Sequence, residues 1–224
     1  MVRLEGEGCA VKPARTYRSP LRAAQAQQTR RRIIESARTL FVENGYGPTT
    51  VAAVARHAGV SADTVYSGFG TKIALLQDVL AVVIGGDDQQ VPFLERAAPQ
   101  AMRAETDQRR QIAMFAHGMT EQLERIRPLD DVLRSAAAVD ESAAELRAKT
   151  QTGQRLAAMK VVVQWVAERG GLRAGRTVDE AGAVVWTLTS PEVHRMLRDD
   201  CGWPRERYEH WLRETLVDTL LPPA

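Results

Sequence analysis

Residues 50–67 read TVAAVARHAGVSADTVYS, and this stretch decides the fold. Val51, Val54, Ala55 and Ala58 recur at the helical period behind Thr50, whose hydroxyl suits a helix N-cap. Gly59 supplies the left-handed stop. Ser61 then caps a second short helix in which Val65, and Phe69 just beyond, are the core anchors, while Ala62, Asp63, Thr64 and Ser67 fall on the outward side. Two short helices around a Gly turn have the layout of a helix-turn-helix, whose second helix meets bases through its N-terminal residues. The same pattern also describes an ordinary helical hairpin with a solvated face, so periodicity alone leaves both readings open.

Working outward, the 3.6-residue period recurs along the chain, and sustained two-residue alternation is nearly absent, which predicts an all-α protein. A first helix over 21–44 carries the stripe Ile33, Ile34, Ala37, Leu40 and Phe41 and stops at Asn44-Gly45. A fourth opens at Thr71-Lys72 and keeps Ile73, Leu76, Val79, Leu80 and Val83 in helical spacing until Gly85-Gly86. Beyond a connection holding Pro92 and Pro99, helices are expected over 107–127, 129–138 and 141–169. The run Thr177-Val178-Asp179-Glu180 is a capping box for another, which restarts at Ser190-Pro191. The last, over 204–221, bears a one-sided apolar stripe from Tyr208 and Trp211 through Leu212 and Leu216 to Leu220. The expected organisation is a basic arm (1–20), a three-helix reading domain followed by its connecting helix (21–85), and a larger helical domain (86–224).

Composition excludes several classes. Apolar residues at 44% and charged residues at 26% are globular values, which rules out intrinsic disorder. The longest apolar run, 79–84, is far short of the roughly 20 residues of a membrane span, and the first 20 residues lack a secretory signal. Cys9 and Cys201 are too few and too far apart for a disulfide framework, so a reducing cytoplasm is expected. The net charge of +2 hides an asymmetry: residues 1–72 hold eleven Lys and Arg against five Asp and Glu, net +6, leaving −4 for the remainder. A basic front third, with Arg3, Lys12, Arg15, Arg18 and Arg22 in or beside the arm, suits a polyanion. No Gly-rich phosphate loop, GxSxG elbow or HExxH pair occurs, and His57, His117, His194 and His210 are scattered. Glu206 and His210 stand four apart as an exposed charge pair. No catalytic residue, cofactor or metal site is expected.

The ordered series Ile33-Ile34, Ala37, Leu40-Phe41, Gly45-Tyr46, Thr49-Thr50-Val51, Val54-Ala55, Ala58-Gly59-Val60-Ser61, Thr64-Val65-Tyr66, Phe69, Lys72 and Leu75-Leu76 resembles the N-terminal domain of the tetracycline-repressor (TetR) family. The likeness covers about 50 residues. A weaker one, from Trp186 through Pro191 and Gly202-Trp203 to Trp211-Leu212, is to C-terminal domains of actinobacterial members. The resemblance implies a dimeric transcriptional regulator, a repressor binding a palindromic double-stranded operator, in which one domain reads DNA and the other senses a small ligand. A DNA-binding regulator without a ligand is the alternative, and a small helical enzyme a remote one. By resemblance, Thr49 or Thr50 touches backbone phosphate, Ser61, Ala62, Asp63, Thr64 and Ser67 face the groove, Tyr66 lies on phosphate or a thymine methyl, and Lys72 binds phosphate. Two residues depart from the pattern. Gly68 replaces a bulky residue, and Asp63 reads either as an acceptor from cytosine or as a helix-start charge.

A sensing domain needs a cavity, and Met114, Phe115, His117, Met119, Met159, Val163, Trp165 and Trp186 are its candidate lining, for an apolar or amphipathic effector of unknown identity. The same residues also suit a filled core. The apolar stripe of the last helix predicts a homodimer through 178–189 and 204–221.

Overall fold

The computed structural model describes residues 20–87, 89 and 91–223. Residues 1–19, most of the expected basic arm, lie outside the described residues, as does Cys9. The described residues form eleven α-helices and no strand: α1 (Pro20–Asn44), α2 (Val51–Ala58), α3 (Ala62–Phe69), α4 (Lys72–Gly85), α5 (Ala97–Ala104), α6 (Gln108–Ala137), α7 (Glu141–Ala148), α8 (Leu156–Ala167), α9 (Val178–Leu188), α10 (Pro191–Arg195) and α11 (Arg205–Leu220). A 3-10 turn at Phe93–Glu95 precedes α5, and π-turns at Lys149–Arg155 and Met196–Asp200 extend α7 and α10.

Local chemistry sets the ends of the first helices. Thr50, Ser61 and Thr71 each accept a hydrogen bond from the backbone N–H three residues on, which satisfies one orphan donor at the starts of α2, α3 and α4. Gly59 ends α2 with φ +66, a conformation that costs glycine nothing. Ile33, Ile34, Ala37 and Phe41 of α1 pack with Val51, Val54, Val65 and Phe69 and with Leu75, Leu76 and Val79 of α4 in one buried cluster. Each large side chain so buried contributes about 1.5–3 kcal/mol. That cluster continues into Leu129, Leu133, Ala143 and Leu146, so α6 and α7 form its floor. A second cluster joins Ile112, Phe115, Met119, Met159, Val163, Trp165, Val185, Tyr208, Leu212 and Leu216.

Four expectations are corrected. The helices expected over 107–127 and 129–138 are one, α6, with Pro128 inside it. Pro128 is exposed, and Leu123, Leu129 and Leu133 on the opposite side stay buried, so their packing outweighs the hydrogen bond that proline removes. The single helix expected over 141–169 is interrupted by the π-turn. The proline-bearing connection holds α5, whose Met102 is buried. The stripe on the last helix is covered within the chain: Tyr208, Leu212 and Leu216 are 0% exposed and pack on α6 and α9, so their apolarity carries no argument for a dimer. The capping box stands, with Thr177 and Glu180 bonding each other's backbone N–H.

Candidate DNA interface and interior cavity

Helix α3 is held from behind by Val65, 1% exposed, and Phe69, 8% exposed. Asp63, Thr64, Tyr66, Ser67 and Gly68 face solvent, and Tyr66 is 52% exposed, an aromatic that no core contact explains. Ser61 Oγ and Thr64 Oγ1 lie 2.8 Å apart, so the cap also orients the first outward hydroxyl of the helix. Lys72 reaches back across the loop before α2: its Nζ donates to the carbonyls of Tyr46 at 3.0 Å and Gly47 at 3.4 Å and sits 4.1 Å over the Tyr46 ring. The ammonium is thereby fixed on the loop before α2, and two of its three donors are engaged.

Arg30 of α1 lies 4.6 Å over the ring of Phe69, the last residue of α3, and its Nη2 bonds Asp78 Oδ2 of α4 at 2.8 Å. Arg30 and Asp78 also line a cavity of about 730 Å³ that is partly open to solvent. Its walls are α4 (Leu80, Ile84), Phe93 and Leu94 of the segment before α5, α6 (Met119, Leu123, Ile126, Leu133), and Ala158 and Met159 of α8. The size is that of a drug-sized ligand site. Arg96 closes one rim, donating to the Gly85 and Gln89 carbonyls and pairing with Asp87 at 2.8 Å. The guanidinium uses the space glycine leaves, since a Cβ at Gly85 would stand 2.5 Å from it and shift the end of the Arg96 side chain.

At the far end the cavity turns polar with Asp130, Thr150, Gln151 and Arg155. Asp130 is 2% exposed; burial pushes its carboxyl above the usual range although Arg147, 3.1 Å away, pulls it down. Burial likewise pushes the Arg155 guanidinium down to about 10. No group of three or more His, Cys, Asp or Glu among the described residues is placed to hold a metal ion.

Residues 33–79 match the sequence model of the family described as bacterial regulatory proteins, tetR family. The N-terminal domain belongs to the tetR family. Over 59 residues, 26% of this chain, it is 46% identical to the HTH-type transcriptional regulator SrpR of Pseudomonas putida, covering 28% of that protein. Over the same length it is also 46% identical to the regulator TtgW of Pseudomonas putida, covering 44% of it. The match therefore spans less than half the length of these curated relatives. For the fold, 88% of the chain superposes on 97% of NalD, described as the secondary repressor of the MexAB-OprM multidrug efflux pump in Pseudomonas aeruginosa, with TM-score 0.67 and 21% identity. The fatty acid degradation regulator FadR of Bacillus halodurans superposes with TM-score 0.63 at 18% identity over 84% of this chain and 94% of that one. The whole chain thus has the two-part helical fold of tetR-family regulators.

Within this tetR fold, Ser61, Asp63, Thr64, Tyr66 and Ser67 are all exposed, as is Thr50, while Lys72 is half-buried. Ala62 is half-buried against the core. Thr49 is corrected: it is 3% exposed, and its hydroxyl is already bonded to the Leu40 and Gly45 carbonyls at 3.0 and 2.7 Å, so it faces inward and ties α1 to α2. Of the eight candidate cavity residues, Met119 and Met159 line the cavity. Phe115, Val163 and Trp165 are core instead, Met114 faces solvent, and His117 is exposed between Glu121 and Glu209. Trp186 packs under Arg155 and donates to the Gln151 carbonyl. The sequence reading missed Arg30, Asp78, Asp130, Gln151 and Arg155. One signal was available: Asp130 stands at helical spacing among Ile126 and Leu133, a carboxylate on an apolar stripe.

Proposed function

We propose that the chain is a DNA-binding transcriptional regulator, a repressor in the cytoplasm, whose α3 reads a palindromic operator as part of a homodimer. Residues 21–85 form the reading unit and 86–224 the sensing and dimerisation unit. Thr64, Ser67 and Tyr66 present hydroxyls, a methyl and a ring to the major groove, and Thr50 and Lys72 meet phosphates on its flank. The single observation that carries the reading is the face of α3: polar, exposed and anchored by Val65 and Phe69, in a domain matched by the family. Asp63 sits in the first turn of α3, where the helix dipole favours a carboxylate.

The cavity is the effector site. A ligand changes DNA affinity only through a difference in its affinity for the two arrangements of the protein. Arg30 gives that difference a route, since it touches the cavity edge through Asp78 and the end of the reading helix through Phe69. Helix α4, which lines the cavity and begins at Lys72, is the second route.

Selection from random duplexes, followed by fluorescence anisotropy across a salt series, tests the reading. A two-fold symmetric sequence should emerge, with affinity falling steeply as salt rises, and Lys72→Ala should flatten that slope by about one contact. Failure to enrich any sequence refutes it. Light scattering in the same buffer reports the dimer.

A further inference from the structure

We propose that the polar end of the cavity recognises one uncharged hydroxyl on an otherwise apolar ligand, an alcohol or a phenol. The proposal rests on the reading of the cavity as an effector site and adds the chemistry of what enters it.

Two polar atoms at that end are buried without a partner. Asp130 Oδ1 accepts from Arg147 Nη1 and Gln151 Nε2, both at 3.1 Å, whereas Oδ2 accepts from nothing. Arg155 donates through Nη1 to Gln151 Oε1 at 3.4 Å and through Nη2 to the Trp186 carbonyl and Thr189 Oγ1, whereas its Nε donates to nothing. The Gln151 side-chain amide bridges the two residues, holding an unmet acceptor and an unmet donor on either side of it. Arg96 Nε, at the rim of the cavity, is also buried without a partner, a lone donor with no unmet acceptor beside it; Gln111, His194, Arg198 and Tyr208 bury unpaired polar atoms as well, but none of these four lines the cavity. Buried polar atoms are ordinarily paired, so a donor and an acceptor left unmet on either side of Gln151 mark what is missing at this end of the cavity.

The missing group must donate once and accept at least once. A hydroxyl does both, with one O–H for Asp130 Oδ2 and lone pairs for the Arg155 Nε–H. Charge selects among the alternatives. Asp130 and Glu192 face Arg147 and Arg155, two carboxylates against two guanidiniums, and Arg147 already pairs with both carboxylates. The local balance is neutral. A ligand ammonium meets two guanidiniums and leaves Arg155 Nε unmet, while a ligand carboxylate meets two carboxylates and leaves Asp130 Oδ2 unmet. An ether accepts from Arg155 but has nothing to give Asp130. The remaining lining, with Leu80, Ile84, Phe93, Leu123 and Met159, takes a hydrocarbon body.

The test is a head-group series on one ten-carbon chain: 1-decanol, decyl methyl ether, decanoate and decylammonium, titrated by calorimetry into the full chain at pH 7 below their micellar concentrations. Decanol is expected to bind at least tenfold more tightly than each of the other three. Asp130→Asn places a donor where Oδ2 stood, so it should erase or reverse the preference for decanol over the ether. Arg155→Met, which keeps the aliphatic stem, should weaken decanol and ether together. If either variant fails to fold, the series on the parent protein still decides. Equal or tighter binding of the ether or of either ion overturns the hydroxyl assignment and leaves the cavity standing as a ligand site. Binding of none of the four overturns the cavity reading, and this proposal with it.

Discussion

Replacing Arg30 with Met keeps most of the aliphatic stem and removes the guanidinium, which isolates the tie between the cavity edge and the reading helix. Two interactions are lost. The Arg30–Asp78 pair is partly exposed, at 32% and 35%, and is worth about 0.5–1 kcal/mol; the guanidinium over Phe69 adds about 0.5–1 kcal/mol. Their sum, about 1–2 kcal/mol, is the resistance of α3 to shifting on α1 and α4. If DNA binding requires the held position, operator affinity should fall roughly 5- to 30-fold. Anisotropy on a selected duplex measures this, and the salt slope separates it from a phosphate contact: Arg30→Met should leave the slope unchanged, unlike Lys72→Ala. A double-mutant cycle with Asp78→Asn should return a coupling of about 0.5 kcal/mol or more. Parent-like affinity together with no coupling would show that Arg30 is a surface charge and carries nothing between cavity and helix.

Thr64→Ala should alter preference among operator sequences by about 1–3 kcal/mol without changing the salt slope, read by repeating the selection. Met119→Trp should fill the cavity beside α4, leave DNA binding intact and abolish displacement of DNA by decanol; unfolding in a thermal melt would instead identify Met119 as packed core. Stability should also depend on His194. Burial, with Arg127 and Arg198 adding to it, holds that imidazole at about 4, against 6.5 for the unfolded group. The unfolded chain therefore takes up a proton that the folded chain refuses. Stability from this residue is full above pH 6.5, falls as pH drops through 6.5 to 4, and levels off below, by at most about 3 kcal/mol. Urea midpoints of the parent and His194→Gln should converge toward pH 4.5, and a constant gap between them refutes the assignment.

The reading unit was legible because its signals are local. Thr50, Gly59, Ser61 and Thr71 act on backbone within three or four residues, and Val51, Val54, Ala55 and Ala58 repeat at the helical period, so the order of α1 to α4 follows from neighbours in sequence. Pro128 misled because its cost is local while what outweighs it, the burial of Leu123, Leu129 and Leu133, is set by distant partners. Thr49 misled for a similar reason. Thr49 and Thr50 look alike in sequence, and only the bend of the chain after Gly45 turns the first inward and the second outward. The cavity was the least legible part: Asp130, Gln151 and Arg155 come from two segments, and their meeting depends on how α6 lies against the end of α7. The stripe of α11 was read as a dimer surface, but α6 and α9 cover it within the chain, and no pattern within α11 names its cover.

The π-turn at Lys149–Arg155 makes chain length a determinant of recognition. A regular helix advances about 100° per residue, so the wider turn sets the faces of α7 and α8 out of phase by an amount that no side-chain substitution restores. The Gln151 carbonyl accepts from the Trp186 indole at 2.9 Å, and its side chain spans Asp130 and Arg155. One residue fewer in this stretch would bring it closer to a plain helix and turn Arg155 out of phase with Asp130 and Arg147, which lie before it, even with every amino acid of the polar end still present. Relatives of this chain that keep Asp130, Gln151 and Arg155 but differ in length between α7 and α8 therefore share its letters without sharing its cavity.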